Sequence, residues 1–163
     1  MSLAAADLTA LGEAERYDVL EAQLEALLDG EPDPVANLAN AAALIFHGLP
    51  RLNWAGFYLM RGGELVLGPF QGQVACVRIP VGRGVCGTAV AERRTIRVDD
   101  VHAFPGHIAC DAASRSELVV PMFAGRDVVG VLDLDSPEPR RFTGADALGC
   151  ERLVAILMRH LRL

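Results

Sequence analysis

The sequence predicts an α+β domain, an antiparallel sheet packed against helices, on three observations. Apolar residues recur at helical spacing near both ends of the chain, the middle carries paired hairpin signals, and the elements run helix, helix, strands, short helix, strands, helix. A length of 163 residues fits one domain spanning 1–163, with 1–13 as an N-terminal extension.

From the N-terminus, the stretch Leu11–Asp29 places Tyr17, Leu20, Leu24, Leu27 and Leu28 on one helical face, and Gly30 stops it. Asp33 followed by Pro34 is a helix start with proline at the first helical position, and Gly48 and Pro50 close that helix after His47. Strands Trp54–Met60 and Leu65–Phe70 flank the turn Arg61-Gly62-Gly63-Glu64. Val74–Ile79 reads as a further strand. Gly82, Gly84 and Gly87 open a short helix over Cys86–Arg93, and Thr95–Val98 is a brief strand. Asp99–Ala113 shows no period and contains Pro105 and Gly106, the signature of a long loop, a feature of compact domains that is usually functional. Glu117–Phe123 and Val128–Asp135 form a second hairpin across Ala124-Gly125-Arg126-Asp127. Thr143, with Asp146 three residues on, caps a last amphipathic helix. The first and last helices are expected to pair on one sheet face or across a dimer.

Composition narrows the function. Apolar residues make up 52% of the chain and charged residues 22%, a globular balance, and the net charge of −6 with no basic run argues against nucleic acid and anionic membrane surfaces. The N-terminus lacks the basic region of a secretory signal, and no stretch approaches the ~18 apolar residues of a membrane span. A cytoplasmic location is therefore expected, where thiols stay reduced and four cysteines are fillers, metal ligands or redox groups rather than a disulfide framework.

Asp133 and Asp135 are two apart on a strand and share a face, although the surrounding Val128-Val129-Gly130-Val131-Leu132 and Leu134 are apolar enough for burial on both faces. Glu117 sits at the far end of the partner strand. An odd-length turn puts it opposite Asp133; an even-length turn puts it on the other face. Converging carboxyls would raise one another's pKa and suit a cationic group, a metal ion or proton donation; otherwise they end strands facing water.

Among the thiols, Cys110 lies in the long loop, where a nucleophile is accessible. Cys86 begins the short helix, whose N-terminus favours thiolate. Cys76 alternates with Arg78, which would do the same. Cys150, in the last helix, reads as a small buried hydrophobe. The cysteines lie ten or more positions apart with no C-x-x-C pair, and His107 three before Cys110 is the one local pair of candidate metal ligands, so no metal site is expected. Trp54 and Tyr58 share a strand face with Gly56 between them, either as core or as an aromatic pocket wall beside a bare glycine with room for a small group such as an S-methyl.

Four segments resemble the free methionine-(R)-sulfoxide reductases, which are stand-alone GAF domains. They are Asn53-Trp54-Ala55-Gly56-Phe57-Tyr58-Leu59, Gly68-Pro69-Phe70-Gln71-Gly72, Ile79-Pro80-Val81-Gly82-Arg83-Gly84-Val85-Cys86-Gly87 and Val131-Leu132-Asp133-Leu134-Asp135-Ser136. The resemblance implies a GAF-like single domain with a six-stranded antiparallel sheet and helices on both faces, and a homodimer. It implies Cys110 as nucleophile, Cys76 and Cys86 as recycling thiols, Glu117, Asp133 and Asp135 as substrate-site acids, and Trp54 and Tyr58 as the aromatic wall. The activity implied is reduction of free methionine (R)-sulfoxide through a cysteine sulfenic acid and a disulfide, with Cys76 preferred over Cys86 as resolving thiol. A thioredoxin-like dithiol is the implied partner, and no cofactor is required. A ligand-sensing GAF module and a redox sensor without turnover are the alternatives.

Overall fold

The computed structural model describes residues 8–163. Its elements are α1 (Glu13–Leu28), α2 (Pro34–Gly48), β1 (Trp54–Arg61), β2 (Glu64–Gly72), β3 (Arg78–Pro80), α3 (Gly84–Glu92), β4 (Ile96–Val98), β5 (Ser116–Ala124), β6 (Asp127–Ser136) and α4 (Gly144–His160). The strands form one antiparallel sheet in the order β3-β2-β1-β6-β5-β4. The long sequence-adjacent hairpins β1–β2 and β5–β6 join through β1–β6, so β1 and β6 lie at the centre of the sheet.

Alternation along those strands divides the interior in two. Ala55, Phe57, Leu118, Val120, Met122, Leu132 and Leu134 face α1, α2 and α4 in the larger core cluster. Trp54, Tyr58, Val119 and Val131 point the other way, toward α3 and the chain before and after it. Helices therefore lie on both faces, which is why Val131, Leu132 and Leu134 of β6 are all buried although they alternate between the two faces. Burying each of Leu20, Leu24 and Leu28 on α1 contributes roughly 1.5–3 kcal/mol. Helix α1 packs on α4 within the chain, with Tyr17 Oη donating to Asp146 Oδ1 at 2.7 Å and the ion pairs Arg152–Glu21 and Arg159–Glu25 beside it. Asp146 also closes the capping box with Thr143 and receives Arg141 Nη1 at 2.8 Å in a buried ion pair.

The local signals place most boundaries. Asp33 accepts from the amides of Val35 and Ala36, and Gly30 takes φ +77° after α1. Of the expected extension, residues 1–7 lie outside the described residues, while Leu8 is buried in the larger core. Two expectations are corrected. The strand expected over Val74–Ile79 begins only at Arg78: the carbonyls of Gln73 and Cys76 are taken by the side chains of Trp54 and Tyr58, and Cys76 is in a disulfide, so the ladder with β2 starts at the Val77 carbonyl. The long loop after β4 contains a single 3₁₀ turn, Val101–Ala103, capped by Asp100.

Candidate active site

The site is built on the sheet face opposite α1. Across β1, β6 and β5, Trp54 pairs with Asp135 and Asp135 with Glu117, forming one row; in the next row Gly56 pairs with Asp133 and Asp133 with Val119. Directly opposed Cβ atoms lie about 4.5–5.5 Å apart, so the three acids converge. Glu117 is opposite Asp135, not Asp133. The β5–β6 turn is the two-residue Gly125-Arg126, an even length that on a regular ladder would set Glu117 opposite Leu134 on the far face. A bulge after Met122 leaves Val129 unpaired and shifts the register by one, which returns Glu117 to the face of Asp133 and Asp135.

Helix α3 then closes over the acids. Gly87 allows it to lie against β3, since a Cβ there would sit 2.4 Å from the Pro80 carbonyl oxygen. That approach brings the Cys86 thiol to 3.9 Å from Glu117 Oε1, donating to it. The expected thiolate at Cys86 is overturned: burial, then the charges of Asp133 and Glu117, push its pKa well above the usual thiol value. Burial likewise raises Glu117 well above the carboxylate range, helped by the charges of Asp133 and Asp135. Burial raises Asp133 to about 6, and burial with the Asp133 charge raises Asp135. Glu117 and Asp133 are each 6% exposed, and Asp133 Oδ1 has no hydrogen-bond partner. The site thus holds proton-bearing carboxyls and one carboxyl oxygen free to accept. Donor atoms of Cys86, Glu117 and Asp133 lie within 4.8 Å of one another, close enough for a divalent ion to bridge them.

Two segments cover these acids and are joined by a disulfide between Cys76 and Cys110, with Cα atoms 5.4 Å apart. Cys76 is held from below: Trp54 Nε1 donates to the Gln73 carbonyl at 3.0 Å, Tyr58 Oη to the Cys76 carbonyl at 3.0 Å, and the Leu67 amide to the Val77 carbonyl at 2.9 Å. The two aromatic residues therefore anchor the Cys76 segment as well as walling the pocket. Arg78 does not support a thiolate at Cys76; it pairs with Glu64 at 2.6 Å. The Cys110 loop is tied to the start of β1, where Asn53 Nδ2 donates to Asp111 Oδ2 at 2.9 Å and to Ser114 Oγ at 3.1 Å.

Trp54 stacks on Tyr58 and on Phe70, with centroids 5.9 and 5.2 Å apart. The room expected over Gly56 is not there: a Cβ at that position would meet Phe70 Cβ at 2.3 Å and the Trp54 ring at 2.7 Å. The open volume lies instead beyond the ring of Trp54, between the acids and the Cys110 loop. With the disulfide closed it is about 30 Å³, room for about two water molecules.

Several wall residues were outside the expected site, His107 and Asp111 among them. His107 Nε2 lies 3.9 Å from Glu117 Oε2, and burial followed by the His102 charge lowers its pKa. Its only signal in the sequence was its position three residues before Cys110. Cys150 is remote from the site, buried beside Tyr17 with its sulfur 3.6 Å from the hydroxyl, and burial pushes its pKa up to about 12. Among the described residues, no helix is long and apolar enough to cross a membrane.

Comparison with known proteins agrees with this architecture. The family model for the GAF domain matches residues 23–161. Protein YtsP of Bacillus subtilis is 58% identical over 138 residues, covering 83% of this chain and 85% of its own. The free methionine-R-sulfoxide reductase of Escherichia coli is 54% identical over 147 residues, covering 90% and 89%. Among solved structures, the free methionine-R-sulfoxide reductase of Neisseria meningitidis in complex with its substrate superposes with a TM-score of 0.90 at 46% identity, covering 94% of this chain and 92% of that one.

Proposed function

This chain belongs to the free methionine-R-sulfoxide reductases of the GAF-domain family, and from that premise we propose that it reduces free L-methionine (R)-sulfoxide at the pocket under the Cys76–Cys110 disulfide. The observation that carries the reading is the placement of an oxidisable loop cysteine over three clustered acids, each held above its ordinary pKa value, against an aromatic wall.

With the disulfide reduced, the substrate methyl group packs on Trp54 and its ammonium meets the unpaired Asp133 oxygen. Protonated Glu117 or Asp135 donates to the sulfoxide oxygen, which makes the S–O bond easier to break. The Cys110 thiolate takes that oxygen by attack at the substrate sulfur; methionine leaves and Cys110 becomes a sulfenic acid. The Cys76 thiol condenses with it, water departs, and the disulfide forms. A thioredoxin-like dithiol then returns two electrons by exchange. Cys76 is preferred over Cys86 as the resolving thiol because Cys86 is buried as a neutral thiol on Glu117, where it orients the acid. A homodimer belongs to the same proposal.

The test is turnover. The protein is incubated with each epimer of free methionine sulfoxide and excess dithiothreitol, and methionine is counted. Many equivalents from R and none from S support the reading; oxidation of the thiols with no methionine leaves a redox sensor in its place.

A further inference from the structure

The disulfide reaches the surface at a patch of unusual character. Val74 and Val77, two residues before and one after Cys76, are 84% and 63% exposed. Neither is exposed because the chain there is loose. Their segment is fixed by the inward hydrogen bonds to the carbonyls of Gln73, Cys76 and Val77 and by the disulfide itself. A backbone held at several points thus presents two β-branched apolar side chains to solvent on either side of a half-buried cysteine. The neighbouring charge is paired, Arg78 with Glu64 at 2.6 Å. The Cys110 side of the bond differs: Asp111 follows that cysteine and its carboxylate would repel an incoming thiolate.

We propose that Val74 and Val77 form the docking surface for the protein dithiol that regenerates the enzyme, and that its thiolate attacks Cys76 rather than Cys110. The occupant is set by the bond at the centre of the patch, because whatever covers these valines must bring a thiol to Cys76, and a reductant whose reactive cysteine lies on a flat apolar surface buries both. This rests on the catalytic reading above.

The exchange balances as follows. The partner thiolate bonds to Cys76 Sγ, the Cys76–Cys110 bond breaks, and Cys110 leaves as the thiolate needed for the next substrate. The partner's second thiol loses its proton and attacks the partner sulfur of the mixed disulfide. Cys76 takes up that proton and departs as a thiol, and the partner keeps the disulfide. Two electrons enter the protein.

The test uses the full chain with Val77→Asp, a residue outside the pocket, against Val77→Ile and against Val35→Asp, which adds the same charge to an exposed valine at the start of α2. Turnover of methionine (R)-sulfoxide is measured with thioredoxin as reductant and, separately, with dithiothreitol. The proposal expects Val77→Asp to raise the thioredoxin KM at least tenfold while its dithiothreitol rate stays within twofold of the parent, with Val77→Ile and Val35→Asp unchanged in both. An unchanged thioredoxin KM in Val77→Asp overturns the docking surface. Absence of dithiothreitol turnover in the parent overturns the catalytic reading instead. A thioredoxin whose second cysteine is replaced by serine should be trapped on Cys76, as read by peptide mass; trapping on Cys110 overturns the direction of attack.

Discussion

Glu117 stands directly opposite Asp135 in the β5–β6 ladder, and both side chains share the buried face with Asp133. Three carboxyls at such spacing, out of water, cannot all ionise near neutrality. The pair is therefore a store of protons aimed at the pocket, and its chemistry can be tested residue by residue.

Replacing Glu117 removes one of the two candidate proton donors. Glu117→Gln keeps the shape and the hydrogen bonding but has no proton to give. Its kcat with dithiothreitol should fall by about 10²–10⁴-fold, with a folded near-ultraviolet spectrum. A loss under threefold would move the acid role to Asp135.

The cysteines divide by the turnover at which each fails. Cys110→Ser should release no methionine even from stoichiometric enzyme. Cys76→Ser should release one equivalent at the parent rate and then recycle slowly. Rapid quench with amino-acid analysis separates the two. Were Cys86→Ser alone to show the slow-recycling behaviour, Cys86 would be the resolving thiol.

Asp133 links stability to pH. Burial lifts it from 3.8 to about 6, so between those values the native state holds more protons than the unfolded chain. Native stability must then fall as pH rises through that window. Asp133→Asn should flatten this part of the profile and should be more stable than the parent at pH 7, by up to about 3 kcal/mol at 1.36 kcal/mol per pKa unit. Urea denaturation of the reduced proteins from pH 4 to 8 reads both effects; an equally steep slope in the variant would contradict the assignment.

Far from the pocket, Asp146 ties α4 to α1 and to the chain before it through Tyr17 and Arg141, whose side chain is 3% exposed. Asp146→Ala strands the arginine charge in the core and should cost about 3–5 kcal/mol in urea denaturation, while reductase activity at low temperature persists. A cost below 1 kcal/mol would show that the pair contributes little.

What the sequence determined by itself is what neighbours along the chain decide. The spacing of Tyr17, Leu20, Leu24 and Leu28 settles which face of α1 is buried, Asp33-Pro34 and Thr143 with Asp146 start their helices through bonds that span three residues, and Gly62-Gly63 turns its hairpin. The candidate site acids and thiols were named from the sequence too, as what the family resemblance implies, and the structure brings Glu117, Asp133, Asp135, Cys76, Cys86 and Cys110 to one pocket region. Tertiary structure alone decided how they meet. The face of Glu117 depends on a bulge at Val129 that no local rule demands, the Cys76 segment is tied to a sulfur thirty-four positions away, and the neutral state of Cys86 depends on burial and on carboxyls that arrive from β5 and β6. Register, disulfide pairing and desolvation are sums over contacts distant in sequence, and periodicity carries no record of them.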